Sequence, residues 1–220
     1  MVQWVYESAS KALDRVIVAT DDQRIADAVH RFGGEFVLTM AEHLNGTSRC
    51  LEAMEIIEKR EGKRYDVIVN VQGDEPMLEP ELLQALTSCF DSDDVEMSTI
   101  VSPVRDSRDL MNESEAFVVL DRHNNALYFS RSVIPFVKDV KRSNWIDAYP
   151  FHRHLGLYAY RRQALIDFSS MPPSYLEQSE GLEQNRWLQA GRKIRCAIAE
   201  SQSVPVDTDM DLERVRLLLS

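Results

Sequence analysis

Cysteine is scarce in this chain: Cys50, Cys89 and Cys196 lie far apart and are odd in number. That spacing excludes a disulfide framework and a cysteine-based metal centre, and it suits a reducing compartment. No apolar run approaches the length of a membrane span, and the opening Met-Val-Gln-Trp-Val-Tyr-Glu lacks a signal-peptide pattern. Positive charge is also short, with 25 Lys and Arg against 36 Asp and Glu for a net charge of −11. Such a surface repels phosphate backbones and disfavours nucleic acid as a partner, yet it permits a local basic pocket for a small anion. Internal repeats, low-complexity tracts and domain linkers are missing too. What is present is an ordinary globular balance, 44% apolar and 28% charged over 220 residues. A chain of that length buries a core without staples. The expectation is one soluble, cytoplasmic domain spanning residues 1–220.

Alternating elements dominate the first half. Residues 1–10 read as helix, and Arg15 to Thr20 is a short β-branched strand. Asp22 to Phe32 places Ile25, Ala28, Val29 and Phe32 at helical spacing before the stop at Gly33-Gly34. Glu35 to Leu38 is a second strand, and Thr47 to Glu61 a helix with the stripe Cys50, Ala53, Met54 and Ile57. Asp66 to Val71 is the strongest buried-strand signal, followed by a helix over Glu79 to Phe90. This order predicts an α/β fold with a parallel sheet covered by helices on both faces. The second half is more mixed, with strands over Glu96 to Val104, Phe117 to Asp121, Ala126 to Ser130, Leu155 to Tyr160 and Ile194 to Glu200. Lys138 to Tyr149 reads as a mobile polar loop, and Leu176 to Ala190 as one helix closed by Gly191. Thr208 and Asp211 suggest a capping box for a last helix.

In a parallel α/β sheet, ligands sit beyond the carboxyl ends of strands. Asp74 follows the best strand in a glycine-containing turn, where a carboxylate suits Mg²⁺ bridging to phosphates. A turn aspartate bonded to its own backbone is the plain alternative. Asp207, after Val204-Pro205-Val206, poses the same choice. Arg131, His152, Arg153 and His154 are basic residues near strand ends, able to hold an anion or simply to form a solvated rim. Glu183 and Gln184 read as mid-helix residues facing either substrate hydroxyls or water, and Arg186 as a surface charge. Gly46-Thr47 at a helix start offers amides and a hydroxyl to an anion, although a plain N-cap needs the same residues.

The run Val69-Asn70-Val71-Gln72-Gly73-Asp74-Glu75-Pro76-Met77 resembles the signature of the 3-deoxy-manno-octulosonate (Kdo) cytidylyltransferase family, the CMP-Kdo synthetases. Other similar stretches follow in the family's order: Ala19-Thr20-Asp21-Asp22, Asn45-Gly46-Thr47-Ser48-Arg49, Tyr128-Phe129-Ser130-Arg131, Ile134-Pro135, 154–161, Leu182-Glu183-Gln184 and Val206-Asp207-Thr208. The resemblance implies a doubly wound, mainly parallel sheet of the nucleotide-sugar transferase type, with a mixed dimerisation region in the second half and a homodimer. It implies attack of the Kdo anomeric hydroxyl on the α-phosphorus of CTP, with pyrophosphate leaving, in lipopolysaccharide synthesis. By motif position Asp74 and Asp207 become Mg²⁺ ligands and catalytic residues. Gln72, Arg131, His154, Tyr158, Glu183 and Gln184 fall in the sugar pocket, where Arg131 and His154 would face the sugar's carboxylate as cations. Gly46, Thr47 and Arg49 fall where the family handles the nucleotide.

Three positions depart from the family's pattern. Phe117 stands where a lysine is usual, Ser48 where an acid is usual, and Asn185 where a leucine is usual. The lost charge at Phe117 leaves another sugar acid, such as 8-amino-Kdo, as an alternative substrate. A paralogue acting only as a binding module is the non-enzymatic alternative. Family members also carry a strand and a phosphate-gripping loop ahead of the point matched by Met1. The expectation from that difference is that the chain as written is inactive or nearly so, and less stable than its relatives.

Overall fold

The computed structural model describes residues 1–43, 45–112, 114–201, 206 and 209–218. They form two compact units, Met1–Gln84 with Ser201–Ser220, and Ala85–Glu200.

The first unit opens with α1 (Val2–Ala9), β1 (Val18–Thr20), α2 (Gln23–Arg31), β2 (Phe36–Leu38), α3 (Gly46–Glu61) and β3 (Val67–Asn70). Strands β1 and β2 pair in parallel, Val18 against Phe36 and Thr20 against Leu38, with α2 as the crossover. Local chemistry sets the helix ends. The Asp22 carboxylate caps α2 by accepting the Arg24 amide at 2.8 Å. Side-chain and backbone hydrogen bonds from Arg24 hold that carboxyl down at about 2. Asn45 caps α3 through the Ser48 amide at 2.9 Å, and Gly62 ends it with φ +65°, a conformation that suits glycine. The buried stripe of α2 is Ala26 and Val29, while Ile25 is 40% exposed. Val29 is therefore buried as expected, Ala28 and Phe32 are half-buried, and Ala26 rather than Ile25 completes the buried face. In α3, Thr47, Met54 and Ile57 are buried, and Cys50 and Ala53 only partly so.

Helix α4 (Pro80–Ser88) contains the division between the units. Beyond it lie β4 (Met97–Pro103), β5 (Phe117–Leu120), β6 (Ala126–Ser130), α5 (Trp145–Ala148), β7 (His152–Arg161), α6 (Arg162–Ser170), α7 (Tyr175–Glu180), α8 (Asn185–Gln189) and β8 (Arg195–Ile198). The second unit orders its strands β6-β5-β7-β4-β8. Among the described residues only β4 and β8 are parallel there; β4–β7, β5–β7 and β5–β6 are antiparallel, as the mixed second half predicts. Helix α9 (Asp209–Leu218) is the last described element, and Thr208 of the expected capping box lies outside the described residues. No helix among the described residues is long and apolar enough to cross a membrane.

Strand β4 is buried from Met97 to Ser102, so its hydroxyls need internal partners. Ser98 donates to the Leu86 carbonyl at 3.0 Å and Thr99 to the Leu157 carbonyl at 2.7 Å. Against β7 the register slips: Thr99 faces Tyr158 while Val101 faces His154. Leu155, Gly156 and Leu157 therefore stand opposite Ile100 alone. This bulge turns on Gly156, whose φ of +67° would strain any residue with a Cβ.

Three sequence expectations change in this unit. Lys138 to Tyr149 is no simple loop, because it carries a short 3₁₀ turn and α5, anchored by Trp145. Trp145 packs with Val104, Leu110, Phe117 and Phe151, and its indole N–H donates to the Val140 carbonyl at 3.1 Å. Aromatic burial outweighs the polar sequence around it. Leu176 to Ala190 is two helices, since Gly181 adopts φ +63° and ends α7. Helix α6, read from no signal beforehand, buries Ala164, Leu165 and Phe168. Replacing Trp145 by alanine should cost ~3–5 kcal/mol, a core aromatic's usual loss. It should also expose residues 133–150 to limited proteolysis, and urea unfolding with peptide mapping reads both.

Candidate active site

In the first unit, Gly46, Arg49, Asn70, Gln72 and Gly73 line one cavity of about 340 Å³. A Cβ built on Gly46 would lie 3.5 Å from the Asn70 amide and 3.7 Å from Gln72 Nε2. The start of α3 therefore lies in ordinary contact range of the end of β3. Thr47 is buried, and Gln72 is exposed in the turn after β3. Arg49 is already engaged: Nη1 donates to Thr39 Oγ1 at 2.7 Å and lies 3.1 Å from the Asp21 carboxylate.

Asp74 is partly buried in the same turn, and its carbonyl accepts the Val206 amide at 2.9 Å. Asp207, the next residue, lies outside the described residues. No group of three or more His, Cys, Asp or Glu suited to a metal occurs among the described residues.

The sequence reading missed a polar chain beside this region. His43 Nδ1 lies 3.1 Å from Ser48 Oγ, and His43 Nε2 lies 2.5 Å from Glu52 Oε2. Hydrogen bonds from His43 and the Met40 amide outweigh desolvation and keep the Glu52 carboxyl below the usual carboxylate range. The chain fastens the segment before α3 onto the helix. Ser48, a departure from the family's acid, gives His43 a neutral partner. The spacing of a histidine five residues ahead of a helical serine, with a glutamate one turn on, was its only signal.

In the second unit Arg131, His154, Tyr158 and Gln184 come together. His154 Nε2 lies 2.9 Å from Thr99 Oγ1, and Gln184 Nε2 lies 3.5 Å from His154 Nδ1. Phe129 and Tyr158 flank the imidazole with ring centroids 5.0 and 5.2 Å away. Burial, reinforced by the Arg131 charge, pushes the His154 pKa down to about 3. The imidazole is therefore neutral, which corrects the expectation of a cation facing a carboxylate. Burial also raises the Tyr158 phenol well above its usual value, so it stays a neutral hydroxyl.

Arg131 is the exposed cation of this cluster. Its Nη1 donates to the Ser114 carbonyl at 2.5 Å, and its backbone amide donates to Glu180 at 2.8 Å. Burial opposes charge on Glu180, but hydrogen bonds from Arg131, Ser130 and Tyr128 outweigh it and keep the carboxyl below the usual range. Arg153 pairs with Glu115 at 3.1 Å, and burial pushes the His152 pKa down.

Glu183 and Gln184 occupy the turn between α7 and α8 rather than mid-helix, and Gln184 is buried. Arg186 is no surface charge: it pairs with Glu177 and lies 5.1 Å over the Phe168 ring. Two departures from the family acquire packing roles. Buried Asn185 clips the Phe129 backbone, donating to its carbonyl at 2.9 Å, and Phe117 lies in the Trp145 cluster.

Comparison with known proteins bears on the family. A family model described as cytidylyltransferase matches residues 1–194. The chain is 44% identical to a 3-deoxy-manno-octulosonate cytidylyltransferase of Parabacteroides distasonis, over 100% of this chain and 88% of that protein. Identity is 42% to the protein of the same description from Phocaeicola vulgatus, over 100% of this chain and 86% of the relative. A solved CMP:2-keto-3-deoxy-manno-octonic acid synthetase in complex with CTP superposes with a TM-score of 0.88 at 35% identity, covering 99% of this chain and 86% of the other. The fold and these matches define a nucleotidyltransferase of the cytidylyltransferase class. Within that class, the chain belongs to the 3-deoxy-manno-octulosonate cytidylyltransferase family.

A neutral His154 makes a prediction with a definite sign. The unfolded chain binds this proton near pH 6.5 and the folded chain only near 3, so folding gains fully above 6.5. That gain is lost as pH falls from 6.5 towards 3. Urea midpoints of the native chain should drop over this window more steeply than those of His154→Gln; parallel acid limbs would contradict a buried neutral imidazole.

Proposed function

We propose that this chain transfers the cytidylyl group of CTP to the anomeric hydroxyl of 3-deoxy-manno-octulosonate, releasing pyrophosphate. The observation that carries this reading is identity of 41–44% over the whole chain to curated proteins of that description. The sugar oxygen forms a bond to the α-phosphorus while the bond from that phosphorus to the bridging oxygen breaks. The hydroxyl proton leaves to solvent or base, and the product is an activated sugar for lipopolysaccharide synthesis.

Roles follow from chemistry and position. With a net charge of −11, the protein needs local cations wherever its anionic substrates sit. Arg131 supplies one to the sugar carboxylate, through two parallel hydrogen bonds of the kind a guanidinium favours. Gln72, His154, Tyr158, Glu183 and Gln184 serve the sugar's hydroxyls. Gly46, Thr47 and Arg49 serve the nucleotide, at the start of α3 beside the cavity that Gly46 and Arg49 line. Asp74 and Asp207 are the carboxylates that would hold Mg²⁺, a hard cation suited to oxygen ligands. When bound, that ion supplies charge neutralisation on the phosphates and acidifies the attacking hydroxyl. The protein works as a cytoplasmic homodimer.

Pyrophosphate release from CTP, measured with Kdo, 8-amino-Kdo and other sugar acids, tests this reading. Release with Kdo fastest supports it; preference for the amino sugar would reassign the substrate, and no release with any of them from a chain extended upstream of Met1 would favour a binding module. Asp74→Asn should lower kcat by about 100-fold or more, since a lost electrostatic contact to a charged transition state is worth roughly that much. Unchanged turnover would remove Asp74 from the site. Arg131→Ala should raise the sugar KM by about tenfold or more with the CTP KM unchanged, the loss of a charge-assisted pair. A matching loss of CTP affinity would disprove the carboxylate assignment.

A further inference from the structure

The hydroxyl of Thr99 has one proton and buried surroundings, and that proton goes to the Leu157 carbonyl at 2.7 Å. A carbonyl only accepts, so the direction of this bond is fixed. What Thr99 Oγ1 then turns to His154 Nε2, 2.9 Å away, is a lone pair. An unprotonated Nε2 would meet it lone pair to lone pair, so Nε2 carries hydrogen. Since the ring is neutral, Nδ1 is left as an acceptor. The Gln184 amide lies 3.5 Å from it, a long contact.

We propose that Thr99 sets the tautomer of His154, so that Nδ1 is presented as an acceptor for a hydroxyl of the substrate and repels its carboxylate. Thr99 is thus a positioning residue, acting through His154. The device rests on the sugar-acid reading above and deepens it. It divides the polar work of the second unit: Arg131 holds the anion and His154 reads a hydroxyl. The Gly156 bulge belongs to the device, because it separates the register at Tyr158 from that at His154 and delivers the Leu157 carbonyl to Thr99. A site built to receive a hydroxyl discriminates strongly against an analogue lacking it, since its acceptor is then left unpaired.

The test is long-range ¹⁵N–¹H NMR of the histidine-labelled chain together with kinetics of Thr99→Val and Thr99→Ser. Native His154 should show a protonated Nε2 and a bare Nδ1 from pH 8 to pH 5, and Kdo should shift the Nδ1 resonance. Thr99→Val should mix the two tautomers and raise the Kdo KM about tenfold with the CTP KM unchanged, while Thr99→Ser should restore both. A native imidazole protonated on Nδ1, or a pure Nε2–H form in Thr99→Val, would overturn the proposal. Both readings are independent of any activity, and the native spectrum decides even if Thr99→Val fails to fold. An Nδ1 signal unmoved by saturating Kdo would overturn the hydroxyl-reading role. Failure of pyrophosphate release with a correct tautomer would instead count against the function and support the Thr99 device.

Discussion

A strand that is buried along its length and still carries hydroxyls must satisfy them inside the protein, and β4 is such a strand. Its Ser98 and Thr99 cannot reach water, so each takes a backbone carbonyl, and Thr99 takes His154 as well. Much of the second unit's polar chemistry depends on that constraint. The bulge at Gly156 breaks the β4–β7 register, and the break is what brings a carbonyl and an imidazole to one hydroxyl. Phe129 and Tyr158 close around the ring, Gln184 faces its other nitrogen, and Asn185 ties the α8 turn to β6.

Charge tells a complementary story. Most arginines in or near the motifs are committed: Arg49 to Asp21 and Thr39, Arg153 to Glu115, Arg186 to Glu177. Among the described residues, Arg131 is held by its Nη1 on the Ser114 carbonyl and by its backbone amide on Glu180, with no carboxylate on its guanidinium. In a strongly acidic chain, an exposed guanidinium fixed at one end is well prepared to meet an anion, because little further side-chain freedom is lost on binding. The same charge acts on His154 and helps keep that imidazole neutral.

The departures from the family's pattern look different once their neighbours are known. Phe117 joins an apolar cluster, Ser48 bonds a histidine, and Asn185 clips a strand backbone. Each has a local structural use, so each is explained without a change of substrate. A residue type that differs from its relatives is therefore weak evidence about chemistry until its contacts are known.

The alternating strands and helices, the glycine stops and the parallel β1–β2 pair follow from hydrophobic period and capping residues, which are local properties. They were legible in the sequence for that reason, as was family membership from motifs in order. Tertiary contacts decided the rest. Gly181 splits what period alone reads as one helix, and Trp145 orders what polarity alone reads as a loop, because backbone conformation and aromatic burial outweigh composition there. His154 could be placed in a site from its motif, but not its charge: protonation depends on desolvation and on the neighbouring charge of Arg131, and its contact with Thr99 joins residues 55 apart in the chain. Sequence names the groups that can do chemistry; only packing sets their dielectric surroundings and hydrogen-bond partners, and those fix which atom holds the proton.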